Sequence, residues 1–181
     1  MSGFIGEFFG TLVLIVLGTG CGAAINLQKS YAKGASWLYV TIAWGMAVTF
    51  GVYVAASLGS QGHLNPAVTI GFASFGFFPW SEVGPYLLGQ FLGAFVGAAL
   101  VAIQFYPHFK ATKTSEAGNN VGIFATAPAI KNNLFNFLSE TIATFIFVFA
   151  LLNLGDFDKG LKPIAVGLLI MVVGQALGGT T

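Results

Sequence analysis

The chain has 181 residues, 56% hydrophobic and only 7% charged, with a mean hydropathy of +0.84 and a formal net charge of +1. A soluble domain carries about 25% charged residues, so this composition excludes one. Seven lysines stand against six acids with no arginine and no basic cluster, which excludes nucleic acid or a polybasic lipid contact as an expected partner.

The first apolar run, Phe4 to Ile25, spans about twenty residues, enough to cross roughly 30 Å of hydrocarbon as a helix. It is too long for a signal-peptide core, holds Glu7 and is followed by further spans, so it is read as part of the mature chain. Cys21 within it has no intramolecular partner and is read as a small buried hydrophobe. A second run, Trp37 to Leu58, follows a short segment with Lys29 and Lys33. After Gly59-Ser60-Gln61-Gly62 comes Leu64 to Phe78, apolar but too short to span. It is expected to dip into the membrane and stay short.

In Gly62-His63-Leu64-Asn65-Pro66-Ala67, Asn is a strong N-cap and Pro is favoured in the first helical position, which predicts a half-helix of about 65–77 starting at Pro66. The preceding residues are then irregular. Such backbone at membrane depth is tolerated only when packed in protein or lining a watery cavity, so the carbonyls of Gln61, Gly62, His63 and Leu64 are candidate solute acceptors and the Asn65 amide a candidate donor. An Asn-Pro pair alone would more often cap an interfacial helix. Here the stretch is apolar, uncharged and set between two spans, which favours the midplane.

Further runs cover Val83 to Tyr106, Leu134 to Leu154 and Leu161 to Leu177. The 27 residues 107–133 between the first two read as an aqueous loop holding His108, Lys110, Lys113, Glu116 and Lys131, with room for short helices. Gly6/Gly10, Gly18/Gly22, Gly89/Gly93/Gly97 and Gly174/Gly178 repeat at four-residue spacing, which places small residues on one helix face and lets backbones approach closely. Phe4 to Thr11 aligns with Phe137 to Thr144, matching Phe, Glu7/Glu140 and Thr at an offset of 133 residues. Ile42-Ala43-Trp44-Gly45 likewise aligns with Ile164-Ala165-Val166-Gly167. Three spans separate the two copies, so the second enters from the opposite side. That is an inverted repeat, the architecture of pathways whose site lies at the midplane. The division expected is a first repeat over 1–106, the loop 107–133, and a second repeat over 134–181.

His63-Leu64-Asn65-Pro66-Ala67-Val68-Thr69 resembles the first signature of the aquaporin and glycerol-facilitator family, and the Glu-x-x-x-Thr pairs Glu7/Thr11 and Glu140/Thr144 are similar to its first and fourth helices. The resemblance implies an all-α membrane fold, a right-handed bundle of inverted repeats with six spans and two re-entrant half-helices, of which five spans and one half-helix are present here. It also implies a homotetramer in the cell membrane with a cytoplasmic N-terminus. By the family's spacing a second Asn-Pro-Ala would fall about five residues beyond Thr181, so the chain is expected to be truncated. Glu7 and Glu140 are implied to support the re-entrant loops, with His63 steadying the first through its ring. Trp44 and Gly174 match two positions of the family's constriction, and both choices are of the glycerol type.

The implied function is passive passage of glycerol, other small uncharged solutes and water. Alternatives are a water-selective pore, a facilitator of urea, dihydroxyacetone or an undissociated organic acid, or a proton-coupled transporter using the membrane carboxylates. No metal-ligand cluster, nucleophile and base pair or phosphate-cradling loop occurs, so neither a cofactor nor catalysis is expected. With the family orientation Lys29, Lys33, Lys110, Lys113 and Lys131 would lie outside and Lys159 and Lys162 inside, against the usual positive-inside bias.

Overall fold

The structure, a computed structural model, describes residues 2–112, 120–155 and 160–180. Lys113, Glu116, Lys159 and Thr181 lie outside the described residues. The elements are α1 (Ser2–Asn26), α2 (Trp37–Ser57), α3 (Pro66–Ser74), α4 (Trp80–Gln104), α5 (Tyr106–Ala111), a 3-10 turn (Asn120–Ile123), α6 (Asn133–Leu152) and α7 (Lys162–Ala176). The fold is an all-helical membrane bundle. Four of the helices, α1, α2, α4 and α6, are long and apolar enough to cross a membrane. At 15 residues α7 is about 22 Å long, less than the hydrocarbon thickness. It covers the expected run but stops at Ala176, where the chain enters a turn over Leu177 and two glycines.

Element ends follow from capping. Asn65, extended at φ −153°, accepts the Ala67 amide at 2.8 Å and sets the start of α3. That helix stops at Ser74, earlier than the hydropathy suggests. Gly76 adopts φ +79°, with Phe77 donating to Phe72 O at 2.9 Å and Gly76 to Ala73 O at 3.2 Å, a left-handed cap that ends the helix even though the next residues are apolar. The third long run begins at Trp80 rather than Val83, directly after Pro79. It breaks at Phe105, where α5 takes over with Pro107 in its first turn.

The helices are held by close backbone contact. A Cβ placed on Gly89, Gly93 or Gly97 of α4 would meet the carbonyl oxygens of Phe4, Phe8 and Leu12 of α1 at 2.7, 2.3 and 3.0 Å. Between α2 and α7 the approach is reciprocal, since a Cβ on Gly45 would meet Gly167 O at 2.6 Å and one on Gly167 would meet Gly45 O at 2.5 Å. Leu14, Val52, Ala55 and Leu64 form a buried cluster where α1, α2 and the loop before α3 converge, with Trp44 packed against it. By contrast α6 buries none of its residues.

Gly93→Ala should therefore force α1 and α4 apart. The expected cost is about 1–3 kcal/mol, as for overpacked cores, read as a lowered thermal midpoint in detergent. Gly84→Ala, on the same helix at a position where a Cβ meets nothing within 4 Å, should leave the midpoint unchanged or raise it slightly.

Candidate functional site

The site is built from the loop between α2 and α3, and the loop is organised by where its amides go. Ser60 N donates to Ala55 O at 3.0 Å, Gln61 N to the Tyr86 hydroxyl at 3.1 Å and Gly62 N to Ser60 Oγ at 3.0 Å. His63 N donates to Glu7 Oε1 at 2.9 Å and Leu64 N to Glu7 Oε2 at 2.7 Å. Every amide from Ser60 to Leu64 is thus bound on the protein side. Among the described residues the carbonyls of Gln61, Gly62, His63 and Leu64 accept no hydrogen bond. These four residues and Asn65 line a cavity of about 470 Å³ whose other walls are largely apolar side chains of α1, α2, α3, α6 and α7, with Lys162 at the start of α7.

Two left-handed residues give the loop its course. Gly62 has φ +70°, which glycine tolerates, and Leu64 has φ +50°, which costs a non-glycine residue of order 1–3 kcal/mol. The bond from the Leu64 amide to Glu7 and the burial of its side chain in the α1/α2 cluster offset that strain.

Glu7 is fully buried and is the centre of the network. Besides the two amides it accepts from Ser60 Oγ and, at 2.7 Å, from Gln90 Nε2 of α4. The second Gln90 hydrogen reaches Thr69 Oγ1 of α3 at 2.9 Å. Thr69 Oγ1 in turn donates to Asn65 O at 3.1 Å and lies 3.1 Å from His63 Nδ1. The His63 ring is 8% exposed and boxed by Phe72, Phe78 and Tyr86, its centroid 4.7 to 5.0 Å from theirs.

Asn65 spends its side-chain oxygen on the Ala67 amide, and its NH₂ makes no hydrogen bond among the described residues. Pro66 and Ala67 open α3 behind it. Trp44 and Gly174 do not line this cavity. The Trp44 ring lies against Gly18 of α1, where an added Cβ would meet it at 2.6 Å, and Gly174 faces Thr41 of α2 while its carbonyl accepts from Trp37 Nε1 at 3.1 Å. Glu140 is exposed on α6 with no hydrogen bond among the described residues. The network residues Ser60, Thr69, Tyr86 and Gln90 were not singled out by sequence. A lone amide inside an apolar span was the one available signal, at Gln90.

Residues 1–181 match the major intrinsic protein family. The chain belongs to this family. It is 68% identical over 181 residues to the glycerol uptake facilitator protein 2 of Lactiplantibacillus plantarum, covering all of this chain and 77% of that protein. It is 46% identical over 183 residues to the glycerol uptake facilitator protein of Streptococcus pneumoniae, with the same coverage. The solved structure of the aquaglyceroporin from Plasmodium falciparum superposes with a TM-score of 0.82 at 31% identity, covering 99% of this chain and 73% of that one.

Glu7→Gln places an NH₂ against donors that need acceptors, at about 1–3 kcal/mol per buried group left unpaired. The amides of His63 and Leu64 are expected to lose protection in hydrogen exchange and the thermal midpoint to fall by several degrees. Unchanged protection would show that the carboxylate does not hold the loop.

Proposed function

We propose that the chain is a passive channel for glycerol and comparable small uncharged solutes, with water also passing, and that it catalyses no reaction. The observation that carries this reading is the loop of unclaimed carbonyls with the free Asn65 amide beside it, facing a cavity inside a bundle of membrane helices. A solute crossing there exchanges its hydration for fixed acceptors and a donor, so a neutral hydroxyl compound passes at little cost. A cation or proton faces apolar walls and the positive end of α3, equivalent to roughly +0.5 charge. The names of the similar proteins, glycerol uptake facilitators and an aquaglyceroporin, support glycerol as the solute.

In this reading Asn65 with Pro66 and Ala67 marks the midpoint of the path. The carbonyls of Gln61, Gly62, His63 and Leu64 hand the solute along, and Glu7 with the His63 ring keeps them aimed. Trp44 and Gly174 set the width of a constriction away from the cavity, with Trp44 offering an apolar face to the C–H edge of a polyol. Glu140 supports the second half of the path as Glu7 supports the first. The division into inverted repeats over 1–106 and 134–181, joined by 107–133, is supported by the reciprocal Gly45/Gly167 crossing, which is what a local two-fold axis would produce. The chain is placed in the cell membrane with its N-terminus cytoplasmic, as one protomer of a homotetramer. Large exposed apolar side chains such as Phe91 and Phe95 on α4 and Phe9 and Leu17 on α1 suit contact with lipid or neighbouring protomers.

The test is flux into vesicles carrying the full chain. Trp44→His combined with Gly174→His should cut glycerol flux by about ten-fold, the scale on which small changes of fit discriminate solutes, and cut water flux less. Unchanged glycerol uptake in the double variant would sink the assignment of the constriction, and absence of glycerol flux in the parent would sink the channel itself.

A further inference from the structure

Resting on that reading, we propose that the Tyr86 hydroxyl is a positioning group for the path: from α4 it holds Gln61, the first of the loop residues that line the cavity, and so sets how sharply glycerol is separated from water. Tyr86 does not itself line the cavity and acts through Gln61.

The loop amides have three kinds of anchor. Ser60 N bonds back to Ala55 O at the end of α2, and Gly62 N bonds within the loop to Ser60 Oγ. His63 N and Leu64 N are fixed by Glu7 of α1. Gln61 N alone is tied to α4, at 3.1 Å from the Tyr86 hydroxyl. Tyr86 stands four residues before Gln90, one turn away on the same face of that helix. The face therefore supports the loop at two places, through Gln90 on Glu7 and Thr69 and through Tyr86 on Gln61.

The hydroxyl is aimed by a ring that has little freedom. Tyr86 is 4% exposed and belongs to a buried cluster with Ala73, Phe78 and Val83. Its ring centroid lies 4.6 Å from that of Phe78 and 5.0 Å from that of His63, and on the α1 side a Cβ on Gly3 would meet its Cε2 atom at 2.5 Å. The same ring packs on the imidazole whose Nε2 lies 3.3 Å from Gln61 Oε1. Tyr86 thus bears on Gln61 at its amide directly and at its side chain through His63. The two effects separate chemically, because the oxygen carries the first and the ring carries the second. Without the oxygen the Gln61 amide has no acceptor, and the residue is free to shift. A polyol, which bonds at several points at once, is sensitive to such a shift, whereas a single water molecule reorients to follow it.

Tyr86→Phe removes the oxygen and keeps the ring, and Tyr86→Leu removes both. In hydrogen exchange on the full chain, Tyr86→Phe should speed exchange at Gln61 by about two- to ten-fold, the range of one net hydrogen bond, while His63 and Leu64 keep the protection that Glu7 gives them. In the same vesicles the ratio of glycerol to water permeability should fall on a similar scale, and by more in Tyr86→Leu. Unchanged exchange at Gln61 in Tyr86→Phe would overturn the inference. So would an unchanged permeability ratio in that variant, including one in which both fluxes fall together, since either result leaves Tyr86 only the packing role of its ring. A parent protein that passes water but no glycerol is a different result. It removes the glycerol reading, and exchange at Gln61 then decides alone whether the hydroxyl holds the loop.

Discussion

The arrangement depends on one constraint: the backbone before α3 is irregular, and the proposed path uses its carbonyls, so its amides must find acceptors inside the protein. Neither helix nor sheet supplies them there, and lipid cannot. The Glu7 carboxylate does, because an ionised carboxylate only accepts and has about four lone-pair positions. The structure fills them with the amides of His63 and Leu64, the Ser60 hydroxyl and the Gln90 side chain. The packing of α1 on α4 serves the same end. A Cβ on Gly89 would meet Glu7 Cβ at 3.1 Å and Phe4 O at 2.7 Å, so glycine at this crossing lets the carboxylate lie against α4 where Gln90 reaches it.

The same constraint sets the polarity of the loop. With the amides bound inward and the carbonyls unclaimed, a molecule on the proposed path would meet oxygen atoms along the loop and a donor at Asn65. Leu64 takes a left-handed conformation to keep this alternation, and its strain is held by the bond to Glu7 and by its apolar side chain. The same residue therefore serves the core with its side chain and, on the proposed path, would serve the solute with its carbonyl. This economy leaves little freedom for substitution along the segment.

Much of the fold was legible because lipid imposes long apolar runs and helix caps are local. Asn65-Pro66 announced the start of α3, and the end of that helix was missed only because Gly76 terminates it while Phe77 and Phe78 keep the hydropathy high. The supporting network was less legible. Glu7 meets residues 53 to 83 positions away, and nothing local in Ser60, Thr69 or Tyr86 declares which partner each will have.

The two glutamates share a sequence motif but not an environment. Glu7 is enclosed by four donors, whereas Glu140, at the matching place in the second copy, stands exposed on α6, a helix that buries none of its residues. A carboxylate on an apolar membrane helix is costly unless donors or water reach it. The proposed inverted repeat pairs α2 with α7, whose Gly45 and Gly167 approach each other reciprocally, and it would pair α1 with α6. On that proposed pairing Glu140 would take donors of the kind that satisfy Glu7: backbone amides from an irregular segment and a neighbouring side-chain amide.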